Sequence, residues 1–397
     1  MVHIVMVVLS SYPSDPRVRR EAEALEKLGI YVDIICVRLP DEKKVEKIKN
    51  IEIHRVIKYA SNKENIFRYL FYSFHFMVAA FFKLQYLNLI NRYKLIQIHN
   101  MPDYLVFIAI IQRILGTPVI LDLHDLSVEL FEAKWNHRLL KLFIPVIRFA
   151  EKISCGFSND IITTSYGFKN CILKRGIPPE KITLVLNTAD NNIFEYNNTR
   201  KFVKIEKSAK LLYHGSVAKR FGLSNAIKAV AIVQKTIPET TLTIYGFYEP
   251  SHLNELKRLV DQLELKRYVK FNNYVSLEKI NEIIDESDIG VVPYFKDSFM
   301  NLALSTKSFE YALKGLPIVA SRLPPMKSIF DEDCVYYYDP DNHEELAEKI
   351  IEFCHNPELR KKCVEKSIEV YQAYSWPIMA ERYCNLITKY TGDTISK

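Results

Sequence analysis

Residues 294–321, YFKDSFMNLALSTKSFEYALKGLPIVAS, decide how this chain folds. They follow Ile289-Gly290-Val291-Val292-Pro293, a short apolar run closed by proline, as a strand buried on both faces would be. A loop with scattered polar residues leads to Ser305 and Thr306, which have N-cap chemistry, and Lys307 to Lys314 then holds helix formers and no breaker. Gly315 suits the left-handed residue that ends a helix, and Pro317-Ile318-Val319-Ala320 restarts a buried strand. The reading is strand, loop, helix, strand, with a helix N-terminus at the carboxyl end of a sheet. Doubly wound folds bind anions at that place.

Glu310 lies little more than one turn inside the helix, where its carboxylate can accept hydrogen bonds from sugar hydroxyls. The run Ser305-Thr306-Lys307-Ser308-Phe309-Glu310-Tyr311, with Gly315 to Ser321 after it, resembles the donor-site helix of retaining nucleotide-sugar glycosyltransferases of family 4. The resemblance implies the GT-B fold: two doubly wound, Rossmann-like parallel-sheet α/β domains facing across a cleft. It also implies a nucleotide diphosphate sugar, UDP- or GDP-linked, as substrate, and places Glu310 on the donor ribose. The family usually carries a second acid eight positions earlier. Here that position is Leu302, so the role of that acid does not carry over.

At 397 residues, 48% of them apolar and 25% charged, the chain is long enough for two soluble domains with separate cores. Met1-Val2-His3-Ile4-Val5-Met6-Val7-Val8 has neither a basic leader nor a cleavage site and reads as a first buried strand. Seven cysteines without metal-ligand or CxxC spacing point to free thiols and a reducing compartment, the cytoplasm by default. Nearly all of the net charge of +7 lies before about residue 200. That basic half suits an anionic membrane surface or an anionic acceptor, although a scattered solvated excess would look the same; no nucleic-acid-binding module is recognisable.

Strand and helix alternate from the start. Asp15 and Pro16 make an N-cap and first-turn pair, and Val18, Ala22, Leu25 and Leu28 form an apolar face. Strands end at His99-Asn100 and at His124-Asp125. The first turn lacks the glycines of a dinucleotide site, which argues against a dinucleotide in the first domain. Asn191 to Lys207, polar and repetitive, reads as a linker between a first domain over 1–195 and a second over 205–375. The tail 376–397 resembles the family's helix that crosses back to the first domain. From Leu70 to Phe82 there is no charged residue; thirteen residues are too few to span a bilayer, so the stretch either packs on the first sheet or lies in a membrane interface.

Transfer from a nucleotide diphosphate sugar builds negative charge on the leaving group, which amides and cations can stabilise without a metal. Gly215 lets backbone approach phosphate, and Lys219 or Arg220 supplies a cation. Relative to the family pattern Ser216 replaces an arginine. Ser305, Thr306 and Lys307 sit at the helix N-terminus, while Tyr245, Gly246, Tyr274 and Val275 follow strands and could meet the base. The resemblance implies that His124 contacts the donor sugar. Asp125 and Glu129 would orient it or meet the acceptor, and Asp15, Arg17, His99 and Asn100 would line the acceptor side. No carboxylate pair serves as acid and base, and no metal is expected. The reading is a retaining, metal-independent transferase acting on a lipid-linked or glycan acceptor, peripheral on the inner face of the membrane. The alternatives are a non-catalytic GT-B-like scaffold, suggested by Leu302 and Ser216, and a nucleotide-sugar epimerase needing no acceptor.

Overall fold

The computed structural model describes residues 1–60, 66–134 and 140–392. The chain divides into two compact units, Met1–Leu186 with the segment from Met379 onward, and Asn187–Ile378. In the first, the strands are β1 (His3–Ser11), β2 (Tyr31–Arg38), β3 (Val45–Ile48), β4 (Ile51–Lys58), β5 (Leu95–His99), β6 (Val119–Leu123), β7 (Asp160–Thr163) and β8 (Ile182–Leu184). They run in the order β3-β4-β2-β1-β5-β6-β7-β8. The second unit holds β9 (Lys210–His214), β10 (Thr241–Gly246), β11 (Val269–Asn273), β12 (Ile289–Val292), β13 (Ile318–Ser321) and β14 (Tyr336–Tyr338), in the order β11-β10-β9-β12-β13-β14.

Every pairing is parallel except β3 with β4, an antiparallel hairpin at the edge of the first sheet that the sequence reading did not include. Its turn runs through Lys49 at φ 52° and contains no glycine, so the usual hairpin signal is missing. In each sheet the strand order reverses once, between β1 and β5 and between β9 and β12. Loops leaving the carboxyl ends on either side of such a reversal diverge and leave a crevice.

The helix after β1 begins as expected, with Asp15 accepting the Arg17 N–H and Pro16 in the first turn. Val18, Ala22 and Leu25 are buried, whereas Leu28 ends the helix and is exposed. The uncharged stretch Leu70–Phe82 belongs to a longer helix, Ile66–Asn91. Ser73, Phe76, Ala80, Leu84 and Leu87 recur at spacings of three or four and are buried, so one face packs inward. The opposite face is also apolar, with Phe67 78% and Phe71 75% exposed. Among the described residues no helix is long and apolar enough to cross a membrane.

The stretch read as a linker is pinned to the second unit. Phe194 is buried, Arg200 donates to the Ile284 carbonyl at 2.8 Å, and the Ile205 N–H donates to Cys354 at 2.8 Å. Arg360 donates to the Val203 carbonyl. Polar composition marks a segment that lacks its own core, but its carbonyls can still be fixed by guanidinium groups. The last helix, Trp376–Thr391, buries Met379, Tyr383, Leu386 and Ile387. The Leu186 N–H meets Met379 Sδ at 3.3 Å, and Tyr383 Oη donates to Gln97 Oε1 at 2.7 Å. Residues 393–397 of the expected tail lie outside the described residues.

Buried Glu151 and half-buried Glu129 both bind Arg175. Burial pushes the Glu151 carboxyl up to about 7 although Arg175 pulls it down; the nearby Asp103 charge adds to the rise. The folded state therefore holds this proton more tightly than the unfolded chain, and its contribution to stability falls as pH rises from about 4.5 to about 7. The loss is on the order of 3 kcal/mol at most. Urea unfolding across that window should show the decline in the native protein and a flatter profile in Glu151→Gln; equal slopes would refute the assignment.

Candidate active site

In the second unit the site is built at the carboxyl edge around the strand reversal. β9 ends at His214, and the following Gly215 has φ 117°, a conformation reserved for glycine. Its N–H donates to the Tyr245 carbonyl at 2.9 Å, which draws the end of β10 against it. Gly246 then lies so close that a Cβ there would fall 1.7 Å from the Gly215 carbonyl oxygen. Two glycines in adjacent loops thus allow two backbones to touch where any side chain would part them.

The cation against Gly215 is Lys307: its Cε and Nζ would be 3.4 and 3.5 Å from a Cβ placed on that glycine. Lys307 is buried, donates to Tyr294 Oη, and has the rings of Tyr213 and Tyr294 at 4.8 and 4.7 Å, with Phe221 at 5.8 Å. These faces hold the ammonium in place by cation–π attraction while leaving it a charge. The helix Thr306–Leu313 starts beside it. Ser305 occupies the N-cap position but makes no side-chain cap; its hydroxyl meets Tyr294 Oη at 3.2 Å instead. The positive end of the helix is therefore not neutralised by its own cap residue. Glu310 is buried with its Oε2 3.1 Å from His214 Nε2, a partner the sequence reading did not name.

The other expected donor residues divide. Arg220 lies with its guanidinium over the Phe299 ring, 5.5 Å from the centroid, and Ser216 and Lys219 are exposed in the same loop. Tyr274, after β11, stacks on Phe247, after β10, with centroids 4.4 Å apart and an interplanar angle of 15°. Both rings are exposed. Phe247 was missed because a single aromatic after a strand has no sequence signature. Half-buried Tyr245 and Val275 occupy the same edge.

In the first unit the carboxyl edge is organised by Asp122, which the sequence reading passed over as part of a strand. Its Oδ2 lies 2.9 Å from His99 Nδ1 and 3.0 Å from His124 Nε2. The two imidazoles are nearly parallel, with centroids 5.7 Å apart. All three residues are buried. Burial opposes ionisation of Asp122, but His124 and then His99 outweigh it and hold the carboxyl well below its usual range. Burial, reinforced by the Arg17 charge, holds His124 below its ordinary value although Asp122 pulls the other way. His124 Nδ1 has no hydrogen-bond partner.

Asn100 locks the loops together: its Oδ1 accepts the His124 N–H at 3.0 Å, and its Nδ2 donates to Asp103 at 2.9 Å and to the Asp125 carbonyl at 2.6 Å. Arg17 pairs with Asp15 at 3.0 Å. Burial resists the charge on Asp15, yet this guanidinium keeps its carboxyl far below the usual range. His99, Asn100 and His124 are thus joined directly, and Arg17 is held close enough to influence His124. Glu129 is turned to Arg175. His99, Asp122 and His124 could each offer one ligand atom to an ion, as could Asp33, Glu52 and His54. The spacings in the first trio equally suit shared protons.

Residues 17–192 match the family model described as Glycosyltransferase Family 4, and residues 195–370 the model described as Glycosyl transferases group 1. The chitobiosyldiphosphodolichol beta-mannosyltransferase of Candida albicans is 21% identical over 344 residues, 82% of this chain and 74% of that protein. Sucrose-phosphate synthase from Thermosynechococcus elongatus superposes with TM-score 0.78 at 16% identity, covering 99% of this chain and 100% of that one. The Anabaena protein HepE in complex with UDP gives 0.71 at 13%, covering 98% and 100%. WaaG, a glycosyltransferase involved in lipopolysaccharide biosynthesis, gives 0.69 at 14%, covering 97% and 99%. At such identities the likeness to the solved structures is one of fold.

The contact between Gly246 and Gly215 carries a stability cost if filled. Gly246→Ala should lower the unfolding free energy by about 1–3 kcal/mol, the usual cost of overpacking. Denaturant titration would measure it, and an unchanged midpoint would mean that the two loops are not held in contact.

Proposed function

Since this chain belongs to the family-4 type of glycosyltransferases, its two halves matching that family's two domain models in order and folding as GT-B proteins do, we propose that it transfers a sugar with retention from a nucleotide diphosphate sugar to a lipid-linked or glycan acceptor. The observation that carries the reading is the convergence of Lys307, Gly215 and the uncapped N-terminus of Thr306–Leu313 at one sheet edge. A leaving pyrophosphate gains charge as the glycosidic bond breaks. A fixed ammonium and oriented amides stabilise that charge without reorganising. No metal is needed for this step. Glu310, with Oε2 3.1 Å from His214 Nε2, is the acceptor for the ribose hydroxyls, and the stacked Phe247 and Tyr274 offer a π face for a base. UDP in the HepE complex supports a nucleotide of this kind.

In the first unit we assign the donor sugar to His124, as the family resemblance implies, and its neutral form suits a hydrogen bond to a hydroxyl. Asp122 and Asn100 fix the ring. Arg17, Asp15, His99, Asn100 and Asp125 form the acceptor side. With no acid and base pair assigned, the departing phosphate oxygen takes the acceptor's proton as the new bond forms on the face it leaves.

Removing the Glu310 charge should weaken a nucleotide diphosphate by roughly 10- to 100-fold, the worth of hydrogen bonds to a charged group. Calorimetric titration of UDP and GDP into the native protein and Glu310→Gln tests this; equal affinities would remove the residue from the site. We also place the exposed apolar face of Ile66–Asn91 on an anionic membrane. Co-sedimentation with phosphatidylglycerol-containing vesicles should weaken as salt rises and should fall in Phe71→Ser. Failure to sediment at low salt would overturn that placement.

A further inference from the structure

A cavity of about 510 Å³ lies at the carboxyl edge of the first sheet, and its two ends differ in chemistry. One end is lined by Ser10 near the end of β1, Arg17 in the first turn of the helix after it, and Asn100 and Asp125 from the loops that follow β5 and β6. The other is lined by Phe67 and Leu70 of the long helix, Phe131, and Val146, Ile147 and Ala150 of the helix Ile144–Phe157. The volume lies within the range of small-molecule sites. A sugar acceptor would fill the polar end and leave the apolar end without a use.

The apolar end opens on the surface. Val146 is 63% exposed, and Phe67 and Phe143, also in the lining, are exposed too. Phe71 and Phe149 extend the apolar surface beyond the rim. A contiguous exposed face of this kind marks a contact with something apolar. Among the described residues, the exposed charges on Ile66–Asn91 and from Lys141 to Phe157 are Arg68, Lys141, Arg148 and Lys152, all basic. The acid in these segments, Glu151, is buried against Arg175. The two helical segments that wall the apolar end therefore expose apolar and basic side chains together, which suits a molecule that is both apolar and anionic.

We propose that this cavity takes the hydrocarbon chain of the acceptor, and that the acceptor is a phosphate-linked lipid whose chain passes between the long helix and Ile144–Phe157. The proposal rests on the transferase reading for the place of the head group beside Arg17; the chain site itself rests on the cavity. It narrows the acceptor from lipid-linked or glycan to lipid-linked.

The probe is a series of monoalkyl phosphates from hexyl to dodecyl, titrated calorimetrically into the full chain below their micellar concentrations. Affinity should rise about fourfold for each added methylene, the gain expected for a buried CH₂, and level off once the cavity is filled. Ala150→Phe, which adds bulk inside the wall, should abolish the dependence on chain length. Val146→Ser, at an exposed position that folding tolerates, should weaken the longer chains and spare hexyl phosphate. Affinity independent of chain length in the native protein would overturn the proposal, as would native-like chain dependence in both folded variants. Titration of UDP and GDP in parallel separates the two readings. Nucleotide binding with a flat chain-length series sinks the chain site and leaves the transferase reading standing. A steep series without nucleotide binding does the reverse.

Discussion

The buried Asp122 oxygen between two imidazoles is the interaction on which the first unit's edge depends. A carboxylate removed from water is costly, and here the cost is met by neighbours that each come from a different part of the chain. Gln97 donates to Glu21 at 2.7 Å and also reaches Asp122 at 3.4 Å, while its own carbonyl accepts from Tyr383. Burial and then the Asp122 charge push the Glu21 carboxyl well above its usual range. One acid in this core is thus held ionised beside two imidazoles, and the next is held protonated by burial together with the charge of the first. Their states differ because two imidazoles lie against Asp122, whereas for Glu21 burial and the Asp122 charge outweigh Gln97, Arg17 and Arg20. The last helix enters this chain through Tyr383, so a residue near the end of the sequence helps to fix a ring on β6's outgoing loop.

The second unit solves the opposite problem. There the buried charge is an ammonium, and aromatic faces rather than carboxylates surround it. A carboxylate partner would have cancelled that charge, whereas ring faces orient the lysine without neutralising it. The acid nearest in the chain, Glu310, is paired with His214 instead. Cation and acid on the same short helix thus keep separate partners, which is what the proposed donor site requires of them. The geometry depends on glycine at 215 and 246, because the two loops could not otherwise close on Lys307.

The order of elements was legible because apolar runs ending in polar pairs mark parallel strands whatever surrounds them. The run before His99-Asn100 and the run before His124-Asp125 became β5 and β6 with little change. The helix over Thr306–Leu313 and left-handed Gly315 also followed from local chemistry, with Gly315 at φ 65°. Partners across strands were not legible. Asp122 sits inside a strand where alternation would count it as an ordinary polar residue, and only strand order brings His99 beside it. His214 is the last residue of β9, yet nothing local points it at Glu310. Ser305 was legible as an N-cap position but not as a hydroxyl diverted to Tyr294. The Val45–Lys58 hairpin was hidden by its charged edge strand.

The uneven distribution of charge gains a physical meaning from the long helix. Screening confines the reach of exposed Lys and Arg to about 10 Å at ordinary salt, so a basic half cannot act at a distance. Its charge matters only where something holds an anionic surface close. Phe67 and Phe71, turned outward on a helix whose other face is fully used by packing, can supply that hold. On the membrane placement proposed above, apolar contact sets how long the first unit stays on such a surface, and the basic residues set which way it faces. Neither feature adds much to the fold: these phenylalanines leave most of their surface outside the protein, and like charges repel. Their coincidence on the unit that carries the Arg17 edge is most simply explained by a partner that is apolar and anionic together.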